Sequence, residues 1–177
     1  EDIAGAPVIG YRAPSFSINR FVLSIIEQAG YAYDSSYNSI GLNRRYGRLD
    51  ISNSEKKGAA LRVSEGIWEL PVSNLRVGST VLPLSGGGYF RLIPFFLWRM
   101  GIQRILEREG AYVFYLHPWE LDSEQPRVRE ASSAFRFRHY VNLNRTHLKL
   151  AALLQKFASC EFLTCAEYRS EERRVGK

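Results

Sequence analysis

The 177-residue sequence contains two cysteines, one methionine and no long hydrophobic run. Its longest stretch without a charged residue, residues 77–90, is interrupted by four glycines and a proline, so no transmembrane helix is expected. Cys160 and Cys165 lie in one apolar segment, where strand alternation predicts buried thiols rather than a disulfide. Residues 1–7 lack an initiating methionine and a signal-peptide pattern, which indicates a cut end without a targeting signal.

Acidic residues are fewer than basic ones: 18 Asp and Glu stand against 24 Lys and Arg, a net charge of +6. Residues 169–177 contain four of the basic and two of the acidic residues, which leaves +4 for the rest. No basic stripe precedes this end, so a nucleic-acid-binding function rests on overall charge alone. Residues 169–177 also lack apolar periodicity. We therefore expect an unstructured or foreign tail after a single domain at residues 1–168.

Segments with strand character alternate with segments of helical spacing. Strands are predicted at residues 8–11, 31–34, 67–72, 79–84, 111–116 and 161–166, and helices at 18–29, 91–108 and 145–157. Residues 35–60 are polar and aperiodic, which predicts a long surface loop. This order favours an α/β fold with parallel strands, in which functional side chains follow the carboxyl ends of strands.

Three polar residues directly follow predicted strands. Arg12 lies in a loop stiffened by Pro14, which could aim its guanidinium into a cleft, although a strand-end ion pair is the alternative. Asp34 precedes two serines, as a turn-opening aspartate also does. His117 follows the apolar segment 112–116, a position typical of a general acid or base, although a structural role is also open.

Several common motifs of enzymes are missing from the sequence. The glycine run 86–88 is not followed by Lys and Ser or Thr, so it is no phosphate-binding P-loop. It predicts a place where another group approaches the backbone closely. The histidines and cysteines show no zinc-ligand spacing, and no GxSxG nucleophile motif is present.

Taken in order, five segments resemble the C-terminal half of a NodB-homology polysaccharide deacetylase. The most similar subgroup is linked to exosortase-associated exopolysaccharide clusters, and the resemblance covers residues 8–167. Its motifs are GYRAPSFS (10–17), GYAYDSS (30–36), WELP (68–71), GGGYFRL (86–92) and YLHPWELD (115–122).

The resemblance implies an incomplete distorted (β/α) barrel that hydrolyses N-acetyl groups on amino sugars of a bacterial polysaccharide with a divalent metal, expected to be zinc. It implies that His117 is the general acid, that Asp34 orients it and that Arg12 orients an aspartate base. Ser15, through its amide, Tyr89 and Trp119 are expected to bind substrate. The family's metal-binding motifs have no counterpart here, so we expect no metal ligand in this chain and an inactive fragment.

The sequence departs from the family at several positions. Tyr37, Asn38 and Tyr115 replace residues that shape the acetyl pocket, a role that Trp68 or Trp119 could take. A catalytically silent carbohydrate-binding domain remains an alternative, because aromatic residues make up 13% of the sequence and sugar rings stack on them.

Overall fold

A computed structural model describes residues 3, 5–40 and 47–175. Within these residues the chain is a mixed α/β domain, which confirms the predicted class. The strands are β1 (Gly10–Tyr11), β2 (Tyr33–Asp34), β3 (Glu55–Lys57), β4 (Ala60–Arg62), β5 (Trp68–Glu69), β6 (Leu75–Val77) and β7 (Thr80–Leu82). The helices are α1 (Arg20–Gln28), α2 (Gly87–Leu92), α3 (Phe95–Glu109), α4 (Ser133–Tyr140), α5 (Leu143–Lys156) and α6 (Cys165–Val175).

Five strands form one mixed sheet in the order β1-β2-β5-β4-β3. The neighbours β1, β2 and β5 are parallel, whereas β4 and β3 continue the sheet in antiparallel pairing. Strands β6 and β7 form a separate hairpin. No closed barrel is present in the described part of the chain, so the distorted (β/α) barrel is not confirmed.

Residues 111–116, predicted as a buried strand, form only an isolated parallel bridge between Gly86 and Tyr115. The amide of Tyr115 donates to the carbonyl of Ser85 at 2.9 Å, and the amide of Ser73 donates to the carbonyl of Val113 at 3.1 Å. The segment is half-buried rather than covered on both faces. His117 nevertheless follows this segment directly, as predicted.

Helix α1 lies within the predicted range 18–29. The side chain of Asn19 caps it by accepting a hydrogen bond from the amide of Val22 at 2.9 Å, and Gly30 follows its end at a φ of 87°. The helix predicted over residues 91–108 is instead divided into α2 and α3 at Pro94. Because proline lacks an amide hydrogen and forces the preceding residue into an extended conformation, Ile93 ends the first helix at a ψ of 132°.

The C-terminal third differs most from the sequence-based expectation. Helix α4 was not predicted, and α5 begins two residues before the expected start. The predicted strand 161–166 is absent, since the chain enters helix α6 at Cys165. The predicted unstructured tail has helical backbone as far as Val175, and residues 176–177 lie outside the described residues. Both cysteines are free and half-buried, and none of the helices described is long and apolar enough to cross a membrane.

Two apolar clusters form the core. The first packs α1 against residues that include Leu49, Val63 and Ile67, and the second packs α3 and α5 around Phe90 and Leu84. The surface loop predicted over residues 35–60 contributes to the first cluster through Leu49 and contains strand β3, so that prediction is wrong in part. Residues 41–46 of that prediction lie outside the described part of the chain.

Candidate active site

The loop after β1 is bound to the loop after β2. The Arg12 guanidinium donates from Nε to the carbonyl of Ser35 at 2.8 Å and from Nη2 to its hydroxyl at 2.6 Å. The Ala13 amide donates to the hydroxyl of Ser36 at 2.7 Å. No described carboxylate forms an ion pair with Arg12. The alternative role of Arg12, a strand-end ion pair, is therefore not found among the described residues.

The same loop carries backbone strain. Ser15 and Phe16 both lie in the left-handed region, at φ values of 54° and 55°. Each such residue with a side chain costs roughly 1–2 kcal/mol, and such strain is concentrated at functional sites. Phe16 is buried, whereas Ser15, the residue expected to offer its amide to substrate, is exposed.

Asp34 is completely buried at the end of β2. Its Oδ1 accepts the Ser36 hydroxyl at 2.7 Å and its Oδ2 accepts the Ser36 amide at 3.1 Å. Because the Ser36 hydroxyl also accepts the amide of Ala13, Asp34 fixes the loop that carries Arg12 and Ser15. Among the described residues, Asp34 makes no hydrogen bond to His117, so the structure does not pair these two predicted site residues.

A second buried carboxyl group, Glu69, lies directly opposite Asp34 in the parallel register of β2 and β5. Its Oε1 accepts the amide of Tyr37 at 2.9 Å, while its Oε2 accepts no hydrogen bond from a described donor. Burial raises the pKa of Glu69 well above its usual value, and the hydrogen bond to Asp34 and the negative charge of Asp34 raise it further. Glu69 therefore keeps its proton to a higher pH than an ordinary glutamate does.

His117 is held by Glu120, three residues later, across a short 3-10 turn (Pro118–Leu121). Oε2 of Glu120 accepts the His117 amide at 3.0 Å and lies 3.3 Å from its Nδ1. This is a capping box, in which the side chain at the third turn position returns to the capping residue. The side chain of His117 itself is 58% exposed.

Glu120 is in turn paired with Arg91 of helix α2. Nη2 of Arg91 lies 3.2 Å from Oε1 of Glu120, and both side chains are only 2% exposed. The remaining guanidinium hydrogens donate to the last carbonyls of α4 and to the carbonyl after it, those of Arg138, His139 and Val141. A carboxylate paired with a buried guanidinium accepts hydrogen bonds, so the contact between Glu120 and Nδ1 of His117 assigns the hydrogen to Nδ1.

The glycine run explains how these groups fit together. A Cβ at Gly86 would overlap the hydroxyl of Tyr115, and a Cβ at Gly87 would overlap the carboxylate of Glu120. A Cβ at Gly88, by contrast, would meet no atom within 4 Å. The predicted close approach to the backbone is therefore confirmed at Gly86 and Gly87, which have no side chain where the site packs against them.

Tyr115 is the residue that brings Arg12 and His117 to one place. The Arg12 guanidinium lies 5.8 Å from the centre of the Tyr115 ring, and the ring of His117 lies 5.9 Å from it edge to face. Phe16 contacts the same ring at 5.1 Å. Arg12 and His117 thus share one aromatic neighbour.

The two aromatic residues expected to bind substrate lie in different surroundings. One face of Trp119 stacks on His139, with ring centres 4.2 Å apart and planes 8° apart, and His117 lies 6.0 Å away. Tyr89 is 37% exposed on helix α2. Trp119 is therefore partly covered by protein, and Tyr89 is partly exposed.

The structure adds Glu69, Arg91 and Glu120 to the residues expected from sequence. Glu69 is a lone charged residue between apolar neighbours of a predicted strand, a pattern that signals a buried carboxyl group. Glu120 follows His117 at the spacing of a capping box, which was readable from the sequence. Arg91 gave no such local signal, because its partners come from residues 120–141.

The described residues of the candidate site do not form a metal site. In the part of the chain that the structure describes, no three His, Cys, Asp or Glu side chains converge. The groups nearest to such a role are already bound to each other, Asp34 with Glu69 and His117 with Glu120. These residues do not fit a divalent metal, and we assign none of them to one.

Fold and site together describe an α/β domain with an exposed histidine positioned by a buried ion pair. Residues 35–168 match the family described as Domain of unknown function (DUF3473), and the chain belongs to that family. The domain occurs in polysaccharide deacetylase-like, exosortase-associated proteins, which agrees with the expected C-terminal deacetylase portion. No curated protein and no solved structure matches the chain.

Proposed function

We propose that this chain is the general-acid portion of a NodB-homology polysaccharide N-deacetylase with a (β/α)-barrel catalytic domain. Its substrate would be the N-acetylated amino sugars of a bacterial exopolysaccharide. The observation that carries the proposal is the Arg91–Glu120 pair, which holds both the backbone and the Nδ1 of an exposed histidine. The divalent metal of such an enzyme would be bound by residues outside this chain.

Hydrolysis of an N-acetyl group breaks the bond between the acetyl carbon and the sugar nitrogen. Water supplies the hydroxyl that becomes part of acetate, and the nitrogen must gain a proton because an amide anion is too basic to leave. His117 as imidazolium would give that proton from Nε2. The resulting neutral ring keeps its hydrogen on Nδ1, which donates a hydrogen bond to Glu120. The transfer of the proton from Nε2 therefore requires no rotation of the ring.

The other predicted residues act through the loop after β1. Asp34 binds Ser36, and Ser36 holds the amide of Ala13, so this network fixes the loop that presents Arg12 and the amide of Ser15. Asp34 is thus a positioning residue for this loop rather than for His117. Strain at Ser15 fits a pre-organised amide that stabilises negative charge on the acetyl oxygen.

The test is release of acetate from an N-acetylated oligosaccharide by the full-length protein that carries this chain. We expect His117→Ala to lower turnover by roughly two to four orders of magnitude, the usual contribution of a general acid. His147→Ala is the matched control, because His147 is an exposed histidine on α5. Normal turnover in His117→Ala would remove the proposed acid. Absence of acetate release from the unmodified protein, with oligosaccharide still bound, would support the carbohydrate-binding domain instead.

A further inference from the structure

A basic pocket of about 540 Å³ lies beside the candidate active site. It is formed by the segment before helix α4 and by that helix, and it is lined by Arg127, Arg129, Arg136 and Tyr140 among others. None of the three arginines forms an ion pair with a carboxylate in residues 5–40 or 47–170, the described residues whose side chains are placed. Three arginines around one concavity, none of them in a described ion pair, favour a negatively charged ligand.

The pocket is built by defined contacts. The hydroxyl of Tyr140 accepts the amide of Val128 at 2.9 Å and donates to the carbonyl of Pro126 at 3.2 Å. These bonds fix the backbone on both sides of Arg127, whose guanidinium carbon lies 4.8 Å above the Tyr140 ring. Arg127 is therefore pre-organised, which lowers the entropy lost when it binds an anion.

A row of rings connects this pocket to His117. The rings of Tyr140 and His139 have centres 4.6 Å apart, His139 stacks on Trp119 at 4.2 Å, and Trp119 lies 6.0 Å from His117. Nε2 of His139 also lies 2.9 Å from Oε1 of Gln125, which ties α4 to the preceding segment. These contacts place the pocket and His117 along one continuous row of side chains.

We propose that the pocket binds the carboxylate of an acidic sugar unit in the same polymer whose N-acetyl group is presented to His117. A guanidinium group binds a planar carboxylate through two parallel hydrogen bonds, which suits arginine better than lysine for this ligand. A short concave site fits one or a few charged sugar units. A nucleic-acid backbone would instead need an extended basic surface. The statement that the acidic sugar belongs to the substrate polymer rests on the proposed function. The statement that the pocket binds an acidic sugar does not.

The test measures binding of oligogalacturonate to this chain by calorimetry and by NMR at the amide of Val128. A neutral chito-oligosaccharide and a single-stranded oligonucleotide serve as comparison ligands. We expect oligogalacturonate to bind more tightly than either, with affinity falling as salt rises. Arg129→Gln and Arg136→Gln should each weaken binding about threefold to tenfold. Arg104→Gln on α3, which removes the same charge from an exposed position elsewhere, should leave it unchanged.

Equal loss of affinity in Arg104→Gln would show that only net charge attracts the ligand and would overturn the proposal. Tighter binding of the oligonucleotide would also overturn it, in favour of a nucleic-acid surface. Absence of oligogalacturonate binding would have the same effect. Because these results do not involve acetate release, they separate failure of this proposal from failure of the His117 mechanism.

Discussion

The raised pKa of Glu69 makes the stability of the domain depend on pH. Glu69 is fully buried, and its pKa is raised well above the usual 4.5 by burial, by the hydrogen bond to Asp34 and by the charge of Asp34. The amide of Tyr37 and the charge of Arg12 oppose this shift without cancelling it. We consider the change Glu69→Gln, which keeps the shape and the oxygen that accepts from Tyr37 but cannot ionise.

The direction of this pH dependence follows from the number of protons that the folded and unfolded chains bind. Above pH 4.5 the unfolded chain releases the proton of Glu69, while the folded chain retains it until the raised pKa is reached. Stability therefore falls with rising pH in this window, by at most about 1.4 kcal/mol per pH unit. The Glu69→Gln variant does not lose stability in this way, because its side chain cannot ionise. The difference in unfolding free energy between variant and wild type should therefore rise from about pH 5 upwards until the raised pKa of Glu69 is reached.

Urea denaturation followed by tryptophan fluorescence, repeated across this pH range, measures the difference directly. Groups that titrate identically in both proteins cancel in the subtraction. Glu65→Gln, at an exposed position four residues earlier, should show no such rise. A flat difference for Glu69→Gln, or a difference that falls with pH, would refute the raised pKa of Glu69.

Two further predictions concern the residues around His117. Gly87→Ala should destabilise the domain by about 1–3 kcal/mol in the same denaturation assay, because its Cβ would overlap the carboxylate of Glu120. Gly88→Ala, in open space on the same helix, should instead stabilise it by about 0.5 kcal/mol. Glu120→Gln in the full-length protein should lower kcat for acetate release at least about tenfold with KM little changed, since it frees the ring without touching substrate. A large rise in KM with unchanged kcat would assign Glu120 to substrate binding.

Local patterns in the sequence pointed to residues that the structure places near one another. Arg12 and His117 were identified because each follows an apolar segment, and Tyr115 brings both together in the structure. The glycine run signalled a close approach, which Gly86 and Gly87 make. The close approach was readable because it depends on neighbouring residues in the chain, whereas the catalytic roles of Arg12 and His117 stay predictions.

Long-range pairing was not readable in the same way. The partner of Asp34 depends on the register that places Glu69 opposite it, and no local pattern specifies which strands become neighbours. The hairpins β3–β4 and β6–β7 did carry a signal, since Gly58 and Gly78 take positive φ in two-residue turns. Residues 79–84 were predicted only as a strand of a fold with parallel strands, and the turn at Gly78 was not used.

The hydrogen on the ring of His117 tests the central claim most directly. Long-range ¹H–¹⁵N correlation spectra of this chain, recorded where the rings are neutral, distinguish a protonated Nδ1 from a protonated Nε2. The account predicts the Nδ1–H form for His117, because the carboxylate of Glu120, paired with Arg91, accepts a hydrogen bond from Nδ1, and loss of that preference in Glu120→Gln. An Nε2–H form at His117, or a ring indistinguishable from the exposed His147, would contradict it.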